Sequence, residues 1–376
     1  MSVLAHFIYA PGGGGAEAML RALVRAMAGG GWQTHVIVMD GAPWPAEMQA
    51  LRETGAHVHD LACSSFLRVR TLRLLMRLLR EIRPCVMQTW MHHADLIGGV
   101  CARLAGVSRV VWGIHCREIH AAPGESAAKL RVFRWLLRLC SHLVPKRIVS
   151  CSAAAVEDHA RLLGYPQEKM SWVPNGINTA RFVPDPDARA AVREELRVPL
   201  SAPLVGFLGR FHEMKDLTTW LRAAAILQSR RPEVHFWLCG GCELDLQDSA
   251  RAALSLMHQR GQVHFSDFRP DPWRVYPALD LFSLSSRTEA CPMSLMEAMS
   301  CGVPCAATDV GDCARLLEGV GRVVPAHEPE ALAAAWMALL DAPRTSEEIR
   351  RVAVERFDIQ AAARSYQRVY EEVLGS

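Results

Sequence analysis

The sequence predicts an α/β protein made of two doubly wound domains. Three observations carry this expectation. Short apolar segments alternate with amphipathic helical segments through the first 170 or so residues. The alternation breaks at MSWVPNGINTARFVPDPDAR, which holds an Asn-Gly pair and three prolines, and restarts at APLVGFLGR. The length of 376 residues also exceeds what one ordinary core holds.

VLAHFIYA forms the first strand, and a run of glycines, Gly12 to Gly15, follows it. AEAMLRALVRAMAGGG is a helix with Leu20, Leu23, Val24 and Met27 on one face and glycines at its end. THVIVMD is the next strand, and CVMQTW, RVVWGIH and KRIVSCS are later ones with helices between them. Apolar strands separated by helices belong to a parallel sheet covered on both faces. Beyond the break, strands are expected at APLVGFLGR, VHFWLCG, QVHFSDF, LFSLSS, GVPCAAT and GRVVPA, with a helix at DLTTWLRAAAILQSR. Two helical segments, EPEALAAAWMALLDA and IQAAARSYQRVYEEVL, close the chain. The proline-bearing stretch is taken as a linker joining the domains near residues 174–186. Sheets of this kind bind ligands beyond the carboxyl ends of their strands, and a cleft between two of them is the default site.

Half the residues are hydrophobic and 22% are charged, as in globular proteins. No apolar run approaches the roughly 18 residues a membrane-spanning helix requires. The start, MSVLAHFIYAPGGGG, lacks a basic segment and a cleavage site, so no signal peptide and a cytoplasmic location are expected. Twelve cysteines are scattered through apolar segments and are taken as free thiols in a reducing compartment. The one C-x-x-C pair, Cys239 and Cys242, ends the run VHFWLCGGC and is taken as a strand followed by a glycine turn, not a metal site. Residues 1–185 carry 21 Lys and Arg against 13 Asp and Glu, whereas the remainder carries 21 against 26. A basic first half suggests an anionic partner or surface there. Its basic stretches carry few interleaved aromatics, so nucleic acid is not an expected partner.

Three stretches can carry chemistry. The glycines after the first strand let backbone approach a phosphate at a helix start. Gly13-x-Gly15-x-x-Ala18, with Asp40 at the end of the next strand, also fits a dinucleotide fingerprint, and a simple tight turn explains the glycines equally well. In GRFHEMKD, Arg210 and Lys215 flank a loop at the end of a strand. Such a pair suits a diphosphate, although two solvated cations would look the same. In RTEACPMSLMEAMSCGVPCAA, Glu289 lies in a strand-to-helix loop and Glu297 in the first turns of a helix that Gly302 and Pro304 end. A carboxylate there can accept two sugar or ribose hydroxyls, and the free N–H groups of the helix start can hold phosphate. One exposed acid beside one that favours the helix dipole is the plainer alternative.

Taken in order, these elements resemble the retaining nucleotide-sugar glycosyltransferases of the GT-B fold, specifically glycosyltransferase family 4. The resemblance runs through Gly14-Gly15-Ala16-Glu17, VWGIH, VPNGIN, GRFHEMKD, SSRTEACPMSLMEAMSCGVPCAATDVGD and GRVVPAHEPEALAAA. It implies two Rossmann-like domains facing each other across a cleft. Residues 1–175 would bind the acceptor and 176–357 the donor, with a helix of about 358–376 packing back on the first domain. It implies that Arg210 and Lys215 hold the donor diphosphate and that Glu297 binds the ribose hydroxyls. Glu289 would sit beside the donor sugar, and the loop through Cys291, Pro292, Met293, Ser294 and Leu295 would offer backbone N–H groups. His115 would stand near the reacting carbon, Gly14 and Gly15 would close over the diphosphate, and Asn175 is the Asn of the junction turn. Asn178 stands where the family usually has Asp, Ala290 and Cys291 where Gly or Phe is frequent, and Arg315 where Glu is frequent. These departures bear on the donor sugar.

The implied reaction moves a sugar from a nucleoside diphosphate to an acceptor hydroxyl with retained configuration, without a metal or other cofactor. Arg210, Lys215 and the helix start would stabilise charge on the departing diphosphate, and Glu289 would position more than it deprotonates. Two basic amphipathic segments bear on the acceptor. In RVRTLRLLMRLLREIRP, Arg70, Arg73, Arg77 and Arg80 share one face and Leu72, Leu75, Met76 and Leu79 another; KLRVFRWLLRLCSH is similar. Such helices can lie on anionic lipid at the inner face of the membrane, which would make the acceptor lipid-linked or part of a surface polysaccharide. An ordinary surface helix fits the same pattern. Trp90-Met91-His92-His93-Ala94-Asp95 follows a strand, and its adjacent histidines are taken as loop packing. The competing functions are another GT-B nucleotide-sugar enzyme (an epimerase or a phosphorylase), an inactive sugar-nucleotide-binding protein, and an NAD-dependent oxidoreductase resting on Gly13, Gly15, Ala18 and Asp40.

Overall fold

Each half of the chain folds around its own parallel sheet. The computed structural model describes residues 2–12, 14–65, 68–119 and 126–375. Gly13, one of the fingerprint glycines, lies outside the described residues. The chain divides into two units, Met1–Gly176 with Ile359–Ser376, and Ile177–Asp358.

The first unit runs β1 (Ser2–Ile8), α1 (Gly15–Ala26), β2 (Trp32–Val38), α2 (Pro45–Arg52), β3 (His57–Asp60), α3 (Val69–Ile82), β4 (Val86–Thr89), α4 (Gly99–Leu104), β5 (Val110–Ile114), α5 (Ala127–Leu143), β6 (Arg147–Ser150), α6 (Ala153–Leu163) and β7 (Met170–Trp172). Its sheet has the order β3-β2-β1-β4-β5-β6-β7, with every neighbouring pair parallel. Five consecutive residues of β1, Leu4 to Ile8, are buried, because helices cover both faces of the sheet. Leu75 and Leu79 of α3, Ala102 of α4 and Leu137 of α5 join one apolar core with Phe7, Met87 and Trp112 of the sheet.

The second unit runs α7 (Pro186–Leu196), β8 (Leu204–Leu208), α8 (Leu217–Arg230), β9 (His235–Cys239), α9 (Asp248–Ser255), β10 (Val263–Ser266), α10 (Pro272–Val275), β11 (Leu281–Leu284), α11 (Met293–Ser300), β12 (Cys305–Thr308), α12 (Cys313–Leu317), β13 (Arg322–Val324), α13 (Pro329–Asp341) and α14 (Ser346–Phe357). The sheet order is β10-β9-β8-β11-β12-β13, again all parallel. Trp220 of α8 and Trp336 of α13 pack at 5.1 Å between ring centres, and the Trp336 indole donates to Ser283 Oγ at 2.8 Å. At the amino end of this sheet the fully buried Arg193 donates to the carbonyls of Ala278, Pro199 and Ala202, each at 2.8 Å, and to Asp280 at 2.5 Å. Burial of that guanidinium is compensated donor by donor.

The last helix, α15 (Ile359–Gly375), belongs to the first unit and packs on α1 and β4. Its Tyr370 hydroxyl donates to Gln88 Oε1 at 3.0 Å. Gly176 lies against Ile359, whose Cα would stand 2.8 Å from a Cβ there, and Ile177 pairs with Asp358 in the second unit.

Two sequence expectations need correction. The linker is shorter than the prolines suggested: Asp185 caps α7 by accepting the Ala188 N–H at 2.9 Å, and Pro186 is its first residue, a position where a missing N–H costs nothing. Three helices close the chain, not two, because SEEIRRVAVERF forms α14. Thr345 and Glu348 start that helix with reciprocal side-chain-to-backbone bonds.

Candidate functional site

In the second unit the basic loop and the two-glutamate loop meet at the carboxyl edge of the sheet. β8 ends at Leu208, and Gly209 follows so closely packed against Gly240 that a Cβ on Gly240 would stand 2.2 Å from the Gly209 carbonyl oxygen. Arg210 then leaves the sheet exposed, with no hydrogen bond or ion pair to its guanidinium among the described residues. A helical turn, Glu213–Lys215, brings the chain to Asp216. Asp216 has φ +46° and caps α8, accepting from Thr219 N at 3.3 Å and Thr219 Oγ1 at 2.9 Å. His327 Nδ1 lies 2.7 Å from the same carboxylate.

The loop after β11 is laced onto this turn. Ser285 Oγ lies 2.9 Å from both the Lys215 and the Asp216 carbonyl oxygens, and the Arg287 N–H donates to the Met214 carbonyl at 2.8 Å. Lys215 Nζ donates to Glu289 Oε1 at 2.5 Å, and Ser286 Oγ donates to the same oxygen at 2.7 Å. Behind the loop stands Gly311, with φ +57°, where a Cβ would be 2.1 Å from the Glu289 carbonyl oxygen. The next residue, Asp312, donates its N–H to the Ala290 carbonyl at 3.0 Å.

Pro292 precedes α11, and Cys291 and Pro292 are buried while Met293 and Ser294 remain partly exposed. The Leu295 side chain is wholly in the core, and its N–H reaches back to the Pro292 carbonyl at 3.3 Å. Glu297 follows one turn into the helix, and its Oε2 accepts from the buried Tyr276 hydroxyl at 2.8 Å. Burial pushes the Glu297 carboxyl up to about 7, against the tyrosine's hydrogen bond, which favours the ionised form. Arg210, Lys215, Glu289, Glu297 and the start of α11 are therefore brought to one edge of one sheet.

The remaining candidates lie in the first unit. Gly14 caps α1 in an extended conformation and Gly15 is its first residue; both are exposed. A Cβ on Gly14 would meet only the tip of Glu17, at 2.7 Å. Asp40 lies just past β2 and donates its N–H to the Tyr9 carbonyl at 2.9 Å. His115 follows β5 and stacks on Trp90 with ring centres 4.7 Å apart. Its two ring nitrogens are shielded from solvent, with no well-aligned partner among the described residues. Burial lowers this imidazole to about 4, opposed by the nearby Asn175 side chain, so it is neutral at pH 7. Asn175 itself is buried.

Several residues that shape these sites carry no motif. Tyr276, Ser285, Ser286 and His327 orient the charged groups through hydrogen bonds. Only the last three could have been suspected, because they lie inside stretches already singled out. Asn178 accepts the N–H groups of Ala180 and Arg181 at 3.2 and 3.1 Å, a role its shape shares with Asp. His92 is buried, with its Nε2 3.3 Å from Cys116 Sγ and 3.4 Å from His159 Nε2, while His93 stacks on Phe133. Among the described residues no group of three His, Cys, Asp or Glu is placed to hold a metal. All twelve cysteines are free thiols, including Cys239 and Cys242. No helix among the described residues is long and apolar enough to cross a membrane.

Comparison with known proteins bears on the family and the fold. Residues 13–181 match the family model described as Glycosyltransferase Family 4, and residues 202–342 match Glycosyl transferases group 1. The chain is 31% identical over 245 residues to a D-inositol 3-phosphate glycosyltransferase of Thermobispora bispora, covering 61% of this chain. It spans 57% of that relative's length. It is 25% identical to the lipopolysaccharide core biosynthesis glycosyltransferase LpsE of Rhizobium meliloti over 78% of this chain and 76% of LpsE. The crystal structure of Anabaena HepE in complex with UDP-glucose superposes with a TM-score of 0.83, at 19% identity, over 99% of this chain and all of that one. That likeness shows the fold to be GT-B. With one family model on each unit, the chain belongs to the group 1, family 4 glycosyltransferases.

Proposed function

We propose that the protein moves a sugar from a nucleoside-diphosphate sugar to an acceptor hydroxyl with retention at the anomeric carbon. The observation that supports this most is the lacing of the Arg210–Lys215 turn onto the Glu289 loop. It sets a free guanidinium, an ammonium, two carboxylates and a helix start at the carboxyl edge of one parallel sheet, where such sheets bind nucleotides. Arg210 and Lys215 would grip the diphosphate, and the amides at the start of α11 would face its oxygens. These groups are strongest when charge builds on the leaving diphosphate, so they would favour the transition state over the bound donor, in place of a metal. Glu297 would accept the ribose hydroxyls, Glu289 would orient the sugar, and the neutral His115 would offer a hydrogen bond to it. Gly14 and Gly15 would let backbone come close to phosphate.

HepE has been solved with UDP-glucose, which makes a uridine-diphosphate sugar the donor class we propose first. The relatives' names point to hydroxyl-rich acceptors, and we propose a glycan or lipid-linked hydroxyl acceptor. A thermal-shift series with UDP, GDP, ADP, CDP, their sugars and NAD tests the reading. A ligand that binds only the folded state raises the midpoint, by about 2.7 kcal/mol of stability at one hundred times its Kd. Stabilisation by one nucleoside diphosphate, lost in Arg210→Ala, is expected. Stabilisation by NAD alone would overturn it. The anomeric configuration of the product, read by NMR, decides retention.

A further inference from the structure

The two basic amphipathic helices of the first unit differ in what their apolar sides do. In α3, Leu75 and Leu79 are buried, Leu72 and Met76 pack against the same core, and the arginines at 70, 73, 77 and 80 point to water. That helix has no apolar face left over. In α5, Leu137 and Ser141 alone are fully buried. Val132, Trp135, Leu139 and Leu143 stand 57, 59, 45 and 67% exposed, at helical spacing of three and four residues. Leu162 of the neighbouring α6 is 64% exposed and lines the same groove as Trp135, beside Ile119 and Leu163. The cost of leaving five large apolar side chains in water calls for a partner.

The charges around the stripe identify it. α5 carries Lys129, Arg131, Arg134 and Arg138 and no acid at all. Arg117, Arg134 and Arg138 line the groove together with the acids Glu118 and Asp158, and its volume is about 420 Å³. Arg117 is paired with Asp158, and Arg134 donates to the Ile119 carbonyl, but no hydrogen bond or ion pair among the described residues holds the Arg131 or Arg138 side chain. A tryptophan beside leucines, flanked by cations with no side-chain partner among the described residues, matches the boundary of a bilayer where acyl chains meet anionic headgroups. A protein partner would have to bring a large apolar face with an acidic rim, whereas an anionic lipid surface supplies both at once.

We propose that the exposed face of α5, with Leu162 of α6, is a docking surface for an anionic phospholipid bilayer. Trp135, Leu139 and Leu143 enter the headgroup boundary, and Lys129, Arg131 and Arg138 meet lipid phosphates. The inference does not depend on sugar transfer, because binding is read without any turnover.

The test is flotation of the full chain with vesicles of phosphatidylcholine alone and of phosphatidylcholine with 30% phosphatidylglycerol. Co-flotation with the anionic vesicles only, reduced at least fivefold by 0.5 M salt, is expected. Trp135→Ser with Leu139→Ser should cut binding at least tenfold, and Arg131→Glu with Arg138→Glu should do the same. Leu244→Ser with Phe268→Ser, which removes two exposed apolar residues of the second unit, should float as the parent does. Near-ultraviolet circular dichroism and the thermal midpoint of each variant show whether it is folded. No flotation at low salt, or equal flotation of the folded α5 variants, would overturn the proposal. So would a dimer in sedimentation that the Trp135 and Leu139 changes dissociate, since the stripe would then be a self-association face.

Discussion

Lys215 Nζ stands 2.5 Å from Glu289 Oε1, so the cation proposed for the diphosphate is already neutralised by the carboxylate proposed for the sugar. The pair is largely shielded, with 27% of the lysine and 12% of the glutamate side chain exposed. An incoming diphosphate must share this ammonium or take it. Glu289→Gln releases Lys215, and the variant should bind the free nucleoside diphosphate several-fold more tightly while turning over the sugar nucleotide at least tenfold more slowly. Isothermal titration beside initial rates checks both. Unchanged values in the two assays would remove Glu289 from the site.

Arg210 is exposed and its guanidinium has no hydrogen bond or ion pair among the described residues, so its loss should be felt in binding more than in stability. Arg210→Ala should weaken nucleoside-diphosphate affinity about 10- to 100-fold, the range of one or two hydrogen bonds to a charged group. Its unliganded thermal midpoint should match the parent's. Equal affinity would place the diphosphate elsewhere.

Glu297 holds its proton more tightly in the folded chain than in the unfolded one, at about 7 against an ordinary 4.5. The folded state therefore binds more protons between those values, and stability falls as the pH rises from about 4.5 to 7, then levels. Glu297→Gln removes this loss. It should be more stable than the parent by about 3 kcal/mol at pH 8 and equal to it at pH 4, while losing donor affinity. Denaturant titrations at the two pH values decide it, and identical differences at both would deny the buried carboxyl.

Gly311 is held against the Glu289 loop by backbone alone. Gly311→Ala puts a Cβ into the Glu289 carbonyl at a positive φ, and should cost about 2–4 kcal/mol and weaken donor binding. Gly319→Ala, also at positive φ but with nothing within 4 Å, should cost about 1 kcal/mol and leave binding intact. Equal losses would mean that the loop has room to move.

His6 is fully buried in β1, accepts the Trp90 indole N–H at 3.2 Å, and is pushed by burial down to about 3. Because the folded value lies below the unfolded one, its contribution is intact above 6.5 and is lost as the pH falls toward 3. At pH 5.5 this one group should remove about 1.4 kcal/mol. The thermal midpoint should drop between pH 7 and 5, with a shallower slope in His6→Gln. A parallel slope would assign the acid loss to other groups.

The parallel sheets were legible because their inner strands, such as LVGFL and HFWLC, are almost wholly apolar and are followed by glycine. The edge strands of the first sheet were not: β3 is His-Val-His-Asp and β7 only three residues, too polar or too short to stand out. α14 was hidden by its charge, although Thr345 and Glu348 at helix-start spacing signalled it. At the site, the ends of the charged residues' own elements could be placed from turns and prolines. What could not be placed were Tyr276 against Glu297 and Lys215 against Glu289, separated by 21 and 74 residues. Such pairs follow from the order of strands in the sheet, which local patterning does not contain.

The return of α15 to the first unit has a consequence for synthesis. Residues 1–176 leave the ribosome early, but Tyr366 and Tyr370, which lie against Trp90, His6 and Trp32, arrive only after the whole second unit has been made. Until then the face of β1 and β4 that holds His6 and Gln88 is open to water. The second unit is contiguous and can close as it emerges. The half of the protein translated first is therefore the half completed last, and the nascent chain must keep an unfinished sheet from pairing or aggregating throughout the interval.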